Sequence, residues 1–136
     1  MAVLDTNILL RYLTEDEPEQ SPRAIALLEQ LEAGQRHAFL PEGVLVEAVQ
    51  VLSSRRLYAV GRETIRRRIG ALVRLRGIRM PQKQTYLRAL DLYVEFTRLS
   101  FVDALLVAYA GREPDNTVIS FDNDFRNLPD IVWEQP

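Results

Sequence analysis

A chain of 136 residues is long enough for one domain with a real hydrophobic core. Its 47% hydrophobic and 26% charged content, with a formal net charge of -2, is the balance of a soluble globular protein and not of a disordered one. Cysteine is absent and His37 is the only histidine, which excludes disulfides, thiolate metal sites, most zinc chemistry and triads built on several histidines, and leaves carboxylates, hydroxyls and arginines to do any chemistry.

Met1 runs straight into Ala2-Val3-Leu4 without a basic flank or a small-residue cleavage site, and no apolar stretch approaches a membrane span; a cytoplasmic, prokaryotic location is the expectation. That apolar run ends in Asp5-Thr6-Asn7 and is followed by Ile8 to Leu13, which predicts a buried strand entering a helix with a polar triplet at the junction. Thr14 to Gln20 is acidic, carries Pro18 and reads as a loop. Ser21-Pro22 resembles a cap with proline in the first turn, and the helix it opens stops at Gly34.

His37 to Leu40 reads as a second strand, closed by Pro41. A helix over 43–55 follows, then a third over 62–76 that ends at Gly77. Ile78 to Met80 is a candidate strand, 84–98 a helix, 101–111 a short and almost wholly apolar helix, and Thr117 to Ser120 and Ile131 to Trp133 two last strands. Strands alternating with helices predict an α/β fold, a small parallel-stranded central sheet flanked by helices on both faces, in a single domain over 1–136. Sites in such sheets form beyond the carboxyl ends of strands.

Lys83 is the only lysine among 17 basic residues, and many arginines fall between Arg55 and Arg79. Arg66, Arg67 and Arg68 are either a solvated helix face or, since arginine forks match phosphate oxygens, a phosphate-contacting face.

The acids carry the argument. Asp5 stands at the end of the first strand, where it reads as a helix cap or as a site residue. Glu47 sits at the edge of the apolar face of a helix that, over 43–55, holds no other acid. Asp103 follows Ser100-Phe101-Val102, a capping box that needs no function, yet its surroundings are so apolar that an unpaired carboxylate there is costly unless a cation meets it. Asp122 and Asp124 follow the strand ending at Ser120, in what is a polar turn or a second delivery of acids to one crevice. Carboxylates gathered in one place need compensation, and a hard divalent cation with oxygen ligands, Mg²⁺ or Mn²⁺, supplies it.

Leu4 to Leu13, Glu47 in its apolar helix, Asp103-Ala104-Leu105-Leu106-Val107-Ala108 and Ser120 to Phe125 together resemble PIN domains, and more narrowly the VapC toxins of prokaryotic toxin–antitoxin pairs. The resemblance runs in order along the whole chain. It implies a Mg²⁺- or Mn²⁺-dependent endoribonuclease, dimeric, and held inactive by a cognate VapB-type antitoxin. By the same resemblance Asp5, Glu47, Asp103 and Asp122 are the catalytic acids, with Asp5, Asp103 and Asp122 on the metal. Thr6, Asn7, Ser120 and Asp124 are supports of the site.

Other readings are a protein-binding module whose acids are caps and turns, or an acidic-site phosphatase. A haloacid-dehalogenase-type phosphatase wants an aspartate where Asn7 stands, a receiver domain wants a lysine later than Lys83, and P-loop chemistry lacks its glycine-rich loop.

Overall fold

The computed structural model describes all residues, 1–136, and the chain divides into two compact units, Met1–Lys83 and Gln84–Pro136. The first contains β1 (Ala2–Val3), α1 (Thr6–Thr14), α2 (Gln20–Glu32), β2 (Ala38–Phe39), α3 (Glu42–Ser53), α4 (Arg62–Val73) and β3 (Ile78–Arg79). The second contains α5 (Lys83–Glu95, whose first residue closes the first unit), α6 (Phe101–Ala110), β4 (Thr117–Ile119), a 3₁₀ turn (Asn123–Phe125) and β5 (Val132–Glu134). The class is α/β, and every strand pairing is parallel.

In the first unit the strands lie in the order β1-β2-β3, with Ala2 opposite Ala38 and Ala38 opposite Ile78. The ladder continues one residue further through Leu4 N to Phe39 O at 2.9 Å and Leu40 N to Arg79 O at 2.9 Å. It stops there because the chain turns at once into helix. α1 packs against α2 and α3, and α3 against α4. Apolar residues at helical spacing make those contacts: Leu9, Leu28, Leu31, Leu45, Ile65, Ile69 and Leu72 are all at most 1% exposed. Each such side chain contributes about 1.5–3 kcal/mol by leaving water.

Gly77 is dictated by close approach: a Cβ there would lie 2.2 Å from the Arg36 carbonyl oxygen, and its N–H already donates to Leu31 O at 2.7 Å. Gly34, at φ +73°, ends α2 in the left-handed region that suits glycine, as the sequence predicts. The start of α2 differs from expectation. The helix begins at Gln20, and the Glu17 carboxylate, not Ser21, accepts from the opening N–H groups of Glu19 and Gln20. A carboxylate makes the stronger, charge-assisted bond. Ser21 is instead buried, and its Oγ accepts from Glu17 N at 3.3 Å.

In the second unit β4 pairs with β5 in register Thr117–Val132 to Ile119–Glu134, and α6 packs on β4. Phe125, Leu90 and Leu99 are fully buried, and Tyr93 meets Phe101 edge to face at 5.7 Å between ring centroids. No helix is long and apolar enough to cross a membrane.

Candidate metal centre

Each unit carries acids at the ends of its elements, and the two sets are built differently. In the second unit the backbone does the positioning. Ser100 caps α6: its Oγ accepts from Asp103 N at 3.1 Å, and Asp103 Oδ2 accepts from Ser100 N at 3.2 Å, a complete capping box. The cap reading of Asp103 is therefore correct, and it occupies one carboxylate oxygen while fixing the direction of the other. The side chain is half-buried.

After β4, the Ser120 hydroxyl accepts from Asp122 N at 2.9 Å, and Asp122 Oδ1 accepts from Asp124 N at 2.9 Å, which winds the chain into its 3₁₀ turn. Two further groups hold this loop. Arg98 donates through Nε to the Asp124 carbonyl at 2.9 Å and through Nη2 to the Arg126 carbonyl at 2.8 Å. The indole N–H of Trp133 donates to the Ser120 carbonyl at 2.9 Å. The result is that Asp103, Asp122 and Asp124 each present a carboxylate oxygen, all within 4.8 Å of one another.

That donor set fits a hard cation. It is all oxygen, the donor type that Mg²⁺ and Mn²⁺ take, and its three carboxylates would supply the negative charge to hold one. Asp124, expected as an assistant to Asp122 or its substitute, lies in the same group as Asp122.

In the first unit the acids depend on side chains. Asp5 occupies the N-cap position of α1 in extended conformation (φ -92°, ψ 156°), but its carboxylate makes no capping bond and is exposed. Its neighbour Thr6 is buried at 6% exposure and donates from Oγ1 to Glu47 Oε2 at 2.8 Å, bridging 41 positions of sequence. Glu47 is exposed at the rim of α3, between the fully buried Leu45 and Ala48. With its true start at Glu42, α3 holds a second acid after all, five residues before Glu47 at the helix terminus. Asn7 is exposed and lines a groove between α1 and α2.

The arginine trio of α4 is dispersed. Arg66 pairs with Glu63 one turn earlier, Arg67 is exposed, and Arg68 turns inward to the Leu13 carbonyl. Lys83 donates to the Leu75 carbonyl at 3.3 Å, and burial, with Arg79 nearby, pushes its pKa down. What the sequence reading missed is Arg98, which it ran into the end of α5; that helix stops at Glu95.

In comparison with known proteins, residues 2–131 match the family model described as PIN domain. No curated protein matches the chain. PIN domains are generally ribonuclease domains that use divalent metal ions.

Proposed function

We propose that this chain, which belongs to the PIN domain family, is a Mg²⁺- or Mn²⁺-dependent endoribonuclease, and more narrowly the toxin of a VapBC-type pair. The observation that carries the metal-dependent reading is the trio Asp103, Asp122 and Asp124, held on a capping box, an Asx turn and the Arg98 clamp in a chain that matches a nuclease family from residue 2 to residue 131.

Asp103 and Asp122 would hold the metal, with Asp124 beside them; the resemblance adds Asp5 to the proposed ligands and reads 1–136 as a single nuclease domain. When bound, the cation supplies Lewis acidity toward a phosphodiester and a lowered pKa for water. The remaining work belongs to the chain. Glu47 takes the proton of the attacking water or orients it, and the bond from Thr6 to Oε2 fixes which oxygen stays turned toward that water. Thr6 acts through Glu47 and is a positioning residue. The family membership and the resemblance of Leu4 to Leu13 support the role given to Asp5.

A toxin needs restraint, and an acid cluster that attracts a cation also attracts arginine or lysine. The partner expected here is a VapB-type antitoxin that brings a basic side chain to the acids, on a chain that acts as a homodimer.

The test is cleavage of single-stranded RNA by the purified full chain with Mn²⁺ or Mg²⁺. Activity should vanish in excess EDTA and in Asp103→Asn and Asp5→Asn, with the fold intact by circular dichroism. Undiminished cleavage in EDTA, or in both variants, would remove the proposed centre.

A further inference from the structure

We infer that the groove between α1 and α2 seats the RNA strand, with Arg11 and Arg23 on its phosphates; the class of ligand rests on the ribonuclease reading above. The groove has a volume of about 400 Å³, within the range of about 300–1,000 Å³ typical of ligand sites. Its walls are two helix faces at helical spacing: Asn7, Ile8 and Arg11 from α1, and Gln20, Arg23 and Leu27 from α2.

Three observations point to a nucleic-acid strand. The first is charge: the chain has 19 acids against 17 bases, yet no acidic side chain lines this groove while two arginines do. The second is preparation. Arg11 Nε donates to Gln20 Oε1 at 2.9 Å, and Nη1 reaches Asp16 at 3.5 Å, so the guanidinium is fixed across the two helices before any ligand arrives. A fixed fork loses less freedom on meeting a phosphate. Arg23 is exposed on the facing wall, and half-buried Ile8 and Leu27 offer an apolar floor to a base or ribose face.

The third is position. Asn7 and Arg11 lie one helical turn apart on α1, so the groove runs along one face of that helix. Arg68 of α4 lacks this arrangement, its guanidinium being committed to the Leu13 carbonyl.

The experiment uses the full chain and a fluorescein-labelled single-stranded RNA oligonucleotide of mixed sequence, bound in EDTA and followed by anisotropy over a salt series. Arg23→Gln and Arg11→Gln should each weaken binding about tenfold, the effect of one charge-assisted bond. Each should also flatten the slope of log affinity against log salt by about 0.7. Arg36→Gln, an exposed charge outside the groove, should leave the slope as it is. Thermal melts of Arg23→Gln guard against a folding defect, since that residue is the more exposed of the two.

Unchanged slopes in both groove variants overturn the inference. So does an oligoglutamate peptide that loses affinity in these variants while RNA does not, which would give the groove to an acidic protein segment. Cleavage of the same RNA with Mn²⁺ separates the two claims. An active chain with unchanged slopes refutes the groove alone, and an inactive chain with flattened slopes keeps the groove and refutes the nuclease.

Discussion

The two units hold their acids by different means. Around Asp103, Asp122 and Asp124 nearly every fixing bond involves main chain: Asp103 N, Ser100 N, Asp122 N, Asp124 N and the carbonyls of Ser120, Asp124 and Arg126. In the first unit one side-chain bond, Thr6 to Glu47, does the corresponding work, and Asp5 has no capping bond at all. Main-chain frames resist rotation because moving the carboxylate means unwinding a helix cap or a turn. Side-chain frames yield more readily. Under the proposed function this difference becomes a division of labour, with Asp103 and Asp122 proposed to hold the ion on the stiff frame and Glu47 proposed to handle water on the adjustable one.

The sharpest way to break this division is to compare Asp122→Asn with Glu47→Gln. Both are expected to cut RNA cleavage by at least about 100-fold. They should part company in Mn²⁺ binding, which Asp122→Asn loses and Glu47→Gln keeps. Trp133, the only tryptophan, donates to the Ser120 carbonyl and so reports on this loop by fluorescence. In natural sequence, Mn²⁺ at ten times its dissociation constant should stabilise the fold by about 1.4 kcal/mol, since binding favours the folded state. If Glu47→Gln also loses that stabilisation, the two frames share one task and the division is wrong.

Next in size is the clamp. Arg98→Ala removes two charge-assisted bonds to carbonyls of the acid loop. Partners that hold metal ligands in place are worth roughly 10–100-fold in affinity. A loss near the lower figure is expected, with Arg98→Lys recovering part of it, because lysine restores one bond of the two. Titration of each variant with Mn²⁺, followed by calorimetry or Trp133 fluorescence, reads this directly. Equal affinities in Arg98→Ala and natural sequence would show that the capping box and Asx turn suffice alone.

How much of this was legible in the sequence follows from where the bonding partners lie. The capping box was legible because Ser100 and Asp103 are three residues apart and both signal by side chain. The turn at Asp122 and Asp124 was legible for the same reason. So was the parallel α/β class, from the alternation of apolar runs with periodic helices. Arg98 was not, because its partners are carbonyls that every residue possesses. The pairing of Thr6 with Glu47 spans 41 positions, and no local pattern reports it. The division of the strands into a β1-β2-β3 ladder and a β4-β5 ladder is likewise a matter of distant hydrogen bonds. At α2 the role expected of Ser21 falls to Glu17, whose carboxylate accepts from the N–H groups of Glu19 and Gln20.

The adjustable frame is tested more gently by Thr6→Val. The hydroxyl is lost at a buried position with little change of shape, and about 1 kcal/mol of stability should go with the bond. Cleavage should slow through kcat with KM nearly constant, since Glu47 keeps its charge but not its aim. Thr6→Ser, which keeps the hydroxyl, should restore the rate. A rate unaffected by Thr6→Val would mean that Glu47 needs no positioning.

The smallest effect concerns an acid of the first unit that the fold itself has occupied. Asp16 accepts from Thr14 Oγ1 at 2.7 Å and from Tyr58 Oη at 2.7 Å. These bonds, the Thr14 bond first and then that from Tyr58, hold its carboxyl below the ordinary carboxylate value, with Arg11 adding a lesser pull. A lowered pKa means that the folded chain gives up this proton more readily than the unfolded chain. The stabilisation is therefore complete above the unfolded value of about 4 and is lost as pH falls through the lower folded value. Asp16→Asn should accordingly melt slightly lower than natural sequence at pH 6 and converge with it as pH falls through the lowered folded value. The exposure of the group and screening by salt keep the difference small, and added salt should shrink it further. The site acids offer the contrast. Replacing Asp122 should change the response to Mn²⁺, whereas replacing Asp16 should leave that response intact and move only the acid side of the stability curve. Melts of both variants across pH, with EDTA and with Mn²⁺, therefore distinguish a carboxylate used to hold the fold from one kept for a cation. A Mn²⁺ response that weakened in Asp16→Asn as it does in Asp122→Asn would dissolve the distinction between the two units.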